Sequence, residues 1–346
     1  MVYLLSDRLM KIKYHTVIYL VTILILALSN GVKTTAQTDS LLNIIKTTQT
    51  DTTKIKALNS LAWHLKFSNP DTAIILSTQA LKIANKAKYQ TGIGQSCHNL
   101  GTFHYLKGSY DTALTFYNNA FEIWKQLEKS KTSSERSEES QSKIRNRLSA
   151  TLGSIGIIYS VQGDYPTALD LYRQALEIDK ELGDKNRIAT WLVNIGNIYY
   201  HQGYYTTALD HYRKALEIDK ELGNKYGIAL ALGNIGLVYA HQSDNTKALK
   251  HYRQALEISK ELGNKMDVAN LLNSIGIVYT DKCDNPKIHL EERDSLINKA
   301  LDFYLQALEI SKELGVKLEI ADILSNIGNI YYEQGDNLNI YLVESD

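Results

Sequence analysis

The stretch NIGNIYYHQGYYTTALDHYRKALEIDKELGNK, residues 194–225, decides the fold, because the chain repeats it with small changes. Four other segments align with its start: SIGIIYSVQGD (154–164), NIGLVYAHQSD (234–244), SIGIVYTDKCD (274–284) and NIGNIYYEQGD (326–336). The first three intervals between aligned positions are 40 residues and the last is 52. A fixed period of this length indicates one supersecondary unit that is stacked repeatedly, with a 12-residue insertion in one copy.

Each unit reads as two helices joined by a short turn. Ile195 and Ile198 in the first half, and Ala208 and Tyr212 in the second, recur at helical spacing. Gly196 lies inside the first helix, where glycine costs about 1 kcal/mol relative to alanine, so its presence indicates close helix packing. The sequence therefore predicts a helical hairpin in which tyrosine side chains fill the space beside small residues.

The spacing of small and aromatic residues resembles the tetratricopeptide repeat family. Its small first-helix position is occupied by Ala62, Gly101, Gly156, Gly196, Gly236, Gly276 and Gly328. The first alanine of the second helix is Ala73, Ala113, Ala168, Ala208, Ala248 and Ala300. The resemblance implies an all-α fold, a right-handed superhelical solenoid of helix-turn-helix hairpins. The 40-residue form is similar to the exported tetratricopeptide regions of bacterial sensor histidine kinases and regulators.

Each repeat ends in a motif such as ELGDK (181–185) or ELGNK (221–225). Glycine in this position tolerates a positive φ at the carboxyl end of a helix. The glycines Gly183, Gly223, Gly263 and Gly315 are therefore predicted to be helix stops.

Residues 1–36 differ from the repeats. Arg8, Lys11 and Lys13 precede an apolar run from Val17 to Leu28, and small and polar residues follow up to Ala36. This pattern is typical of a cleaved secretory signal peptide, with an uncleaved membrane anchor and a buried helix as alternatives. It predicts a protein that is periplasmic or extracellular, with a mature domain holding three more acidic than basic residues.

The remaining chain is predicted to be a polar lead-in (37–55) and a solenoid of about seven repeats (56–346), the last incomplete. The repeats are assigned to 56–94, 95–128, 147–184, 185–224, 225–264, 265–316 and 317–346. Two insertions interrupt them. The segment 129–143 has no apolar pattern and predicts a disordered loop. The segment at about 283–296 predicts a charged helical excursion on the surface.

The two cysteines belong to distant repeats, so an intrachain disulfide is not expected. Cys97 is predicted to pack as a small apolar residue in a helix. Cys283 is predicted to lie in an inserted loop, where exposure would allow pairing between chains.

Charge and motif content argue against several functions. The 38 basic and 38 acidic residues give no electrostatic footprint for nucleic acid. His201 and His241 share one repeat position, but packed helices stand about 8–10 Å apart, so register-equivalent histidines do not converge on one metal ion. The sequence shows no catalytic or phosphate-binding motif. We therefore expect no enzymatic activity, no metal site and no cofactor.

Alignment to the family pattern places polar residues of the first helices on the concave groove of the solenoid. Amide and phenol groups spaced by one repeat suit the alternating donors and acceptors of an extended peptide. The alternative interpretation is that they are solvated positions on amphipathic helices. The basic set that clamps a terminal carboxylate in some family members is missing. The candidate groove residues are Asn194, Asn197, Tyr200, His201, Asn234, His241, Asn270, Ser274, Asn326, Asn329 and Tyr332.

Three functional hypotheses follow. The first is an exported, non-enzymatic scaffold or adaptor that binds a peptide or protein segment in the groove. The second is the sensory input region of a signal-transduction protein without its membrane helix and output domain. The third is a structural array that self-associates through the seventh repeat, whose second helix is missing from the sequence. None of them involves nucleic acid, and the membrane is a partner only if residues 1–36 stay attached.

Overall fold

The computed structural model describes residues 36–130, 137–283 and 288–343, and every regular element in these ranges is an α-helix. The all-α prediction is therefore confirmed. The predicted signal peptide lies outside the described residues except for Ala36. Within the described ranges, the helices are all too short or too polar to cross a membrane.

The described residues form fourteen helices. They are α1 (Ala36–Thr47), α2 (Asp51–Leu65), α3 (Pro70–Lys86), α4 (Gln90–Leu106), α5 (Tyr110–Lys129), α6 (Glu138–Val161), α7 (Tyr165–Leu182), α8 (Lys185–His201), α9 (Tyr205–Leu222), α10 (Lys225–His241), α11 (Asn245–Glu261), α12 (Lys265–Cys283), α13 (Leu290–Leu314) and α14 (Lys317–Val343). They belong to two compact units, the first ending at Ile178 and the second beginning at Asp179. Helices α2 to α13 form six hairpins, and α14 corresponds to the first helix of a seventh.

The polar lead-in contains a helix that the sequence analysis does not predict. Helix α1 covers residues 36–47 and packs on α2, with Ile45 buried in the core of the first repeat. Its apolar residues are few, but Leu41 and Leu42 also pack against that core. The short apolar face is enough to hold the helix because α2 supplies the surface that it covers.

Both insertions extend helices. The segment 129–143 is predicted to be a loop, and this is wrong for residues 138–143, which begin α6. Ser137 caps that helix by accepting a hydrogen bond from the Ser140 amide, and Glu138 and Glu139 favour its positive amino end. In the sixth repeat, residues 290–296 lengthen α13 to 25 residues.

The seventh repeat continues as one helix. The QGD sequence forms the hairpin turn at 162–164, where Gly163 has φ +81°, but residues 334–336 lie within α14. Gly328 differs from the equivalent glycines, because a Cβ built on it meets no described atom within 4 Å. The helix face that receives a partner helix in the other repeats is therefore open in the described residues.

Glycine and tyrosine pack together in the second to sixth hairpins. A Cβ built on Gly196 would lie 2.7 Å from Cε1 of Tyr212, and one on Gly276 would lie 2.6 Å from the ring of Tyr304. Tyr212 is 1% exposed. The absence of a side chain at the glycine lets the tyrosine ring fill the space beside the first helix, as the sequence predicts.

The first hairpin packs its two helices together with different residues at the small and aromatic positions. Ala62 replaces the glycine and Ser77 replaces the tyrosine, and both are fully buried. Ser77 donates a hydrogen bond to Asn59 Oδ1 at 3.3 Å, and Asn59 Nδ2 donates to Ser96 Oγ at 2.9 Å. Asn99 Nδ2 also donates to Asn59 Oδ1, at 3.3 Å. A buried polar network therefore links α2, α3 and α4.

The second unit closes each hairpin with the same ion pair. Lys185 Nζ lies 2.8 Å from Glu221 Oε2, and Lys225 Nζ lies 2.8 Å from Glu261 Oε2. The pairs join the start of the first helix to the end of the second. Gly223 adopts φ +66° and ends α9, and Asn224 then caps α10 by accepting from the Gly227 amide at 3.3 Å. The predicted helix stops are confirmed, since the equivalent glycines also have positive φ.

Neither cysteine is in a disulfide, and both are buried. Burial raises the pKa of Cys97 to about 11, in agreement with its predicted role as an apolar residue. The prediction of an exposed Cys283 is wrong. It is the last residue of α12 rather than part of a loop, is 5% exposed, and its Sγ donates to the Tyr279 carbonyl at 3.2 Å.

Candidate functional site

The candidate groove residues all lie on first helices of the second unit. Helices α8, α10, α12 and α14 touch in sequence, so their polar residues form a row. Six of the predicted residues are partly buried, namely Asn194, Asn197, Tyr200, Asn234, Ser274 and Asn326. The five exposed ones are His201, His241, Asn270, Asn329 and Tyr332.

Amide groups connect neighbouring first helices. Asn234 Nδ2 on α10 donates to Asn197 Oδ1 on α8 at 3.5 Å. Asn326 Nδ2 on α14 donates to Asn273 Oδ1 on α12 at 3.1 Å. Part of the predicted polar stripe therefore holds the first helices in register, a role that the sequence analysis does not assign to it.

Asn197 also serves the core of its own hairpin. Its Oδ1 accepts a hydrogen bond from the buried Tyr212 hydroxyl at 2.7 Å. Burial raises the pKa of Tyr212, so this phenol stays neutral and keeps the proton that it donates. Replacing Asn197 would leave a partly buried hydroxyl without its acceptor, and so would disturb packing as well as the surface.

Asn234, Asn270 and Ser274 converge on one pocket, where the second unit has a cavity of about 260 Å³. The cavity lies between the first helices of the fifth and sixth repeats. Its lining comprises Ala229, Leu230, Gly233, Asn234, Leu237, Tyr252, Ser259, Asp267, Asn270, Leu271 and Ser274. We call it the first-helix pocket.

The apolar part of the first-helix pocket was not predicted. Leu230 is 43% exposed, although it lies on a helix that is otherwise rich in buried apolar residues. Gly233 opens the space beside it, since a Cβ there would meet only Leu271 Cδ2, at 3.7 Å. The one signal in the sequence is this glycine, which lies outside the repeat position that packs against tyrosine.

The polar groups of the first-helix pocket are one carboxyl, two amides and three hydroxyls. Asp267 Oδ2 accepts from Asn264 Nδ2 at 2.6 Å, and burial raises the pKa of the Asp267 carboxyl although that hydrogen bond opposes the shift. Ser274 Oγ donates to the backbone carbonyl of Asn270 at 2.8 Å. The pocket thus combines an apolar floor with acceptors and donors at its edge.

A second group of candidate residues lies at the carboxyl ends of α8 and α10 and comprises Tyr200, His201 and His241. The Tyr200 ring lies 5.3 Å from His201 and 5.2 Å from His241, measured between centroids. Tyr205, which the sequence analysis does not select, lies 5.8 Å from Tyr200 and stacks on His241 at 6.1 Å. These rings form an aromatic cluster beside the hairpin turns, away from the first-helix pocket.

In the described part of the chain, no group of three or more His, Cys, Asp and Glu side chains has the geometry to hold a metal ion. The two histidine pairs that share repeat positions contact aromatic rings. His211 lies 5.4 Å from Tyr199, and His251 stacks on Tyr239 at 5.6 Å.

Sequence comparison identifies the family. The tetratricopeptide repeat pattern matches residues 147–221 and 227–296, and a second form of it matches residues 94–130, together more than half of the chain. The chain belongs to the tetratricopeptide repeat family. No curated protein sequence matches it.

Several solved structures share its fold at low identity. BtubC (BKLC) from P. vanneervenii is 18% identical, with a TM-score of 0.54 over 72% of this chain and 93% of that one. A Rap protein complexed with competence and sporulation factor is 17% identical, with a TM-score of 0.56 over 86% and 80%. Aspartyl phosphate phosphatase F from Bacillus subtilis is 14% identical, with a TM-score of 0.56 over 85% and 75%.

Proposed function

We propose that this protein is a non-enzymatic scaffold that binds an extended peptide or protein segment across its first helices, with the first-helix pocket as the anchoring point. The pocket is the observation that carries the proposal. Its volume of about 260 Å³ lies below the roughly 300–1,000 Å³ of pockets that enclose a whole small molecule. It suits a side chain that projects from a longer ligand.

The lining of the first-helix pocket defines the ligand further. Leu230, Leu237 and Leu271 favour an apolar anchor. Asn234 and Asn270 offer both donors and acceptors to the peptide backbone on either side of it. Asp267 disfavours an acidic anchor, because a second carboxylate would repel it or force one of the two to be protonated.

The arrangement of the polar groups supports a binding role rather than a catalytic one. Ser274 donates its proton to a backbone carbonyl, so no base activates it as a nucleophile. The shared fold adds support for binding, since one protein of this fold has been seen in complex with competence and sporulation factor. The fold also carries a protein named as a phosphatase, so the binding role is inferred from the pocket residues and not from the fold.

A filled-pocket variant tests the proposal. Peptides selected from a phage-displayed library with the wild-type chain would be measured by fluorescence anisotropy against Gly233→Leu and Glu217→Leu. A Cβ at position 233 meets only Leu271 Cδ2, at 3.7 Å, so the added leucine is expected to occupy the anchor space and to weaken binding at least about tenfold. Glu217 is exposed on α9, a second helix outside the pocket, so its variant adds the same side chain and should bind normally. Equal affinity for Gly233→Leu would contradict the proposal.

We also propose that the protein acts outside the cytoplasm, in the periplasm or beyond the cell. The support is the sequence of residues 1–36 alone, which has the charged, apolar and small-residue segments of a signal peptide. Mass spectrometry of the protein recovered from cells should give an amino terminus at Gln37. A product that retains the apolar run would favour the anchored alternative.

One observation favours a second candidate function, self-association through α14. Leu324 and Tyr331 on this helix are 48% and 60% exposed, and Gly328 between them is open. A second copy of the chain could cover this face. Sedimentation should show concentration-dependent mass that Leu324→Asp abolishes. Leu305→Asp, which changes a leucine on α13 that is 56% exposed, should leave the mass unchanged.

A further inference from the structure

The second unit contains a larger pocket on the side of the second helices, independent of the proposed peptide site. It has a volume of about 670 Å³ and is enclosed by α11, the end of α12 and the start of α13. The residues that lengthen α13 form one wall. The lining comprises Thr246, Leu249, Lys250, Arg253, Tyr279, Lys282, Glu292, Ser295, Leu296 and Lys299. We call it the second-helix pocket.

One repeat earlier, carboxylates neutralise the cations at the equivalent positions. At the equivalent junction, Arg213 lies 3.8 Å from Asp210, measured between Nη1 and Oδ1. Lys247 Nζ lies 2.7 Å from Asp244 Oδ2. Each cation there has a carboxylate from its own helix or helix cap.

The second-helix pocket keeps both cations and lacks both carboxylates. Arg253 and Lys299 stand where Arg213 and Lys247 stand in the preceding repeat. The two aspartates are replaced by Lys250 and Leu296, and Gln242 by Lys282. Four cations therefore line the pocket against one carboxylate, that of Glu292.

All four cations line the cavity. Arg253 is held by its Nη2, which donates to the Tyr279 hydroxyl at 2.6 Å. Among the residues that the structure describes, Lys250, Lys282 and Lys299 form no ion pair. Leu249, Tyr279 and Leu296 are buried and provide an apolar floor.

The titration of a neighbouring group agrees with a positive field on this side of α11. Burial lowers the pKa of His251, and Lys250, Arg213 and Lys220 lower it further. Of these three cations only Lys250 lines the pocket, and His251 itself stacks on Tyr239 outside it.

We propose that the second-helix pocket binds a small organic anion with two or more carboxylate or phosphate groups. The volume lies in the range of about 300–1,000 Å³ that is typical of small-molecule sites. The ligand would supply the negative charges that Asp210 and Asp244 supply one repeat earlier. Arg253 offers a planar fork for paired oxygens, and the lysines offer point charges around it.

Calorimetric titration of the full chain at low ionic strength tests the proposal. The probes are citrate, pyrophosphate and, as a monovalent control, acetate. We expect saturable binding with a 1:1 stoichiometry for citrate or pyrophosphate and none for acetate. Citrate alone would identify a carboxylate site, and pyrophosphate alone a phosphate site.

A matched pair of variants shows whether binding takes place in this pocket. Lys250→Asp restores the aspartate of the preceding repeat and should weaken binding at least about tenfold, because the new carboxylate neutralises Arg253. Lys260→Asp makes the same charge change on the same helix outside the pocket and should leave affinity within about twofold. Circular dichroism checks that both variants fold. Absence of saturable binding to both multivalent probes, or equal losses in the two variants, would overturn the proposal.

Discussion

The first and fourth hairpins share the helix-turn-helix arrangement but have different cores. In the fourth, the ring of Tyr212 lies on Gly196 and its hydroxyl reaches Asn197. In the first, Ala62 and Ser77 take the places of glycine and tyrosine, and Asn59 connects the buried hydroxyls and amides. The small position and the aromatic position therefore form one unit, in which a larger residue at one requires a smaller residue at the other.

The largest effect is expected from removing the ring of the fourth hairpin. Tyr212→Ala leaves a cavity at a side chain that is 1% exposed, which costs about 3–5 kcal/mol of unfolding free energy. Urea denaturation measures the loss. Tyr226→Ala, at a residue that is 52% exposed, is the control and should change stability by less than about 0.5 kcal/mol. Similar losses in both variants would contradict the proposed importance of the buried ring.

The polar core of the first unit should make it sensitive to acid. His98 Nδ1 lies 3.0 Å from Thr151 Oγ1, and Thr151 donates its proton to the Arg147 carbonyl at 2.7 Å, so Nδ1 is the donor to Thr151. Burial, with a contribution from the charge of Arg147, lowers the pKa of His98 from 6.5 to about 4.

Because this pKa is lower in the folded state, the unfolded chain binds the proton first as the pH falls. The stabilisation is complete above pH 6.5 and is lost between pH 6.5 and pH 4, by up to about 3 kcal/mol. Denaturation at pH 7.5 and 4.5 measures the difference. His98→Gln should reduce it, and His64→Gln, at an exposed residue, should not. An unchanged difference in His98→Gln would contradict the assignment.

Asn59 tests the polar network directly. Asn59→Ala leaves the buried groups of Ser77, Ser96 and Asn99 without their common partner, and should cost about 2 kcal/mol. Thermal unfolding compares it with Asn43→Ala, an exposed position on α1 that should be neutral. A neutral Asn59→Ala would show that the network does not stabilise the first hairpin.

Adding a methyl group to the fourth hairpin should lower the unfolding free energy by less than the preceding substitutions do. Gly196→Ala places a Cβ 2.7 Å from Tyr212, and the resulting strain exceeds the gain in helix propensity by about 1 kcal/mol. Adding Tyr212→Ser copies the pair of the first hairpin and removes the clash. The double variant should therefore lose less than the sum of the two single losses, and an additive result would refute the coupling.

The smallest change in unfolding free energy, an increase instead of a loss, is expected from a substitution on α14. Gly328→Ala meets no described atom, so only the helix propensity acts, and stability should rise by up to about 1 kcal/mol. Thermal unfolding at low protein concentration measures it. A fall in stability would show that this face is occupied.

The repeat period was enough to predict the helical hairpins, because the same apolar spacing recurs in each copy. Helix α1 was missed because its apolar face is short and its stability depends on α2, which no local pattern reveals. Residues 138–143 were missed because their charged composition is as typical of loops as of exposed helix turns.

Three of the residues that line the first-helix pocket could be selected from the sequence. Asn234, Asn270 and Ser274 were selected from their register and do meet at one pocket. Leu230 was missed because composition does not distinguish an apolar residue that faces a cavity from one that faces the core. The double role of Asn197 depends on where the Tyr212 hydroxyl ends, and a helical pattern contains no such distance.

The ion pairs that close the hairpins have a consequence for how such a chain can change its length. Lys225 and Glu261, like Gly236 and Tyr252, lie within a single 40-residue segment, 225–264. An in-frame duplication or deletion of that segment carries both members of each pair together. Unequal recombination could therefore lengthen or shorten the array without a second, compensating mutation, since a new copy arrives with its internal contacts complete.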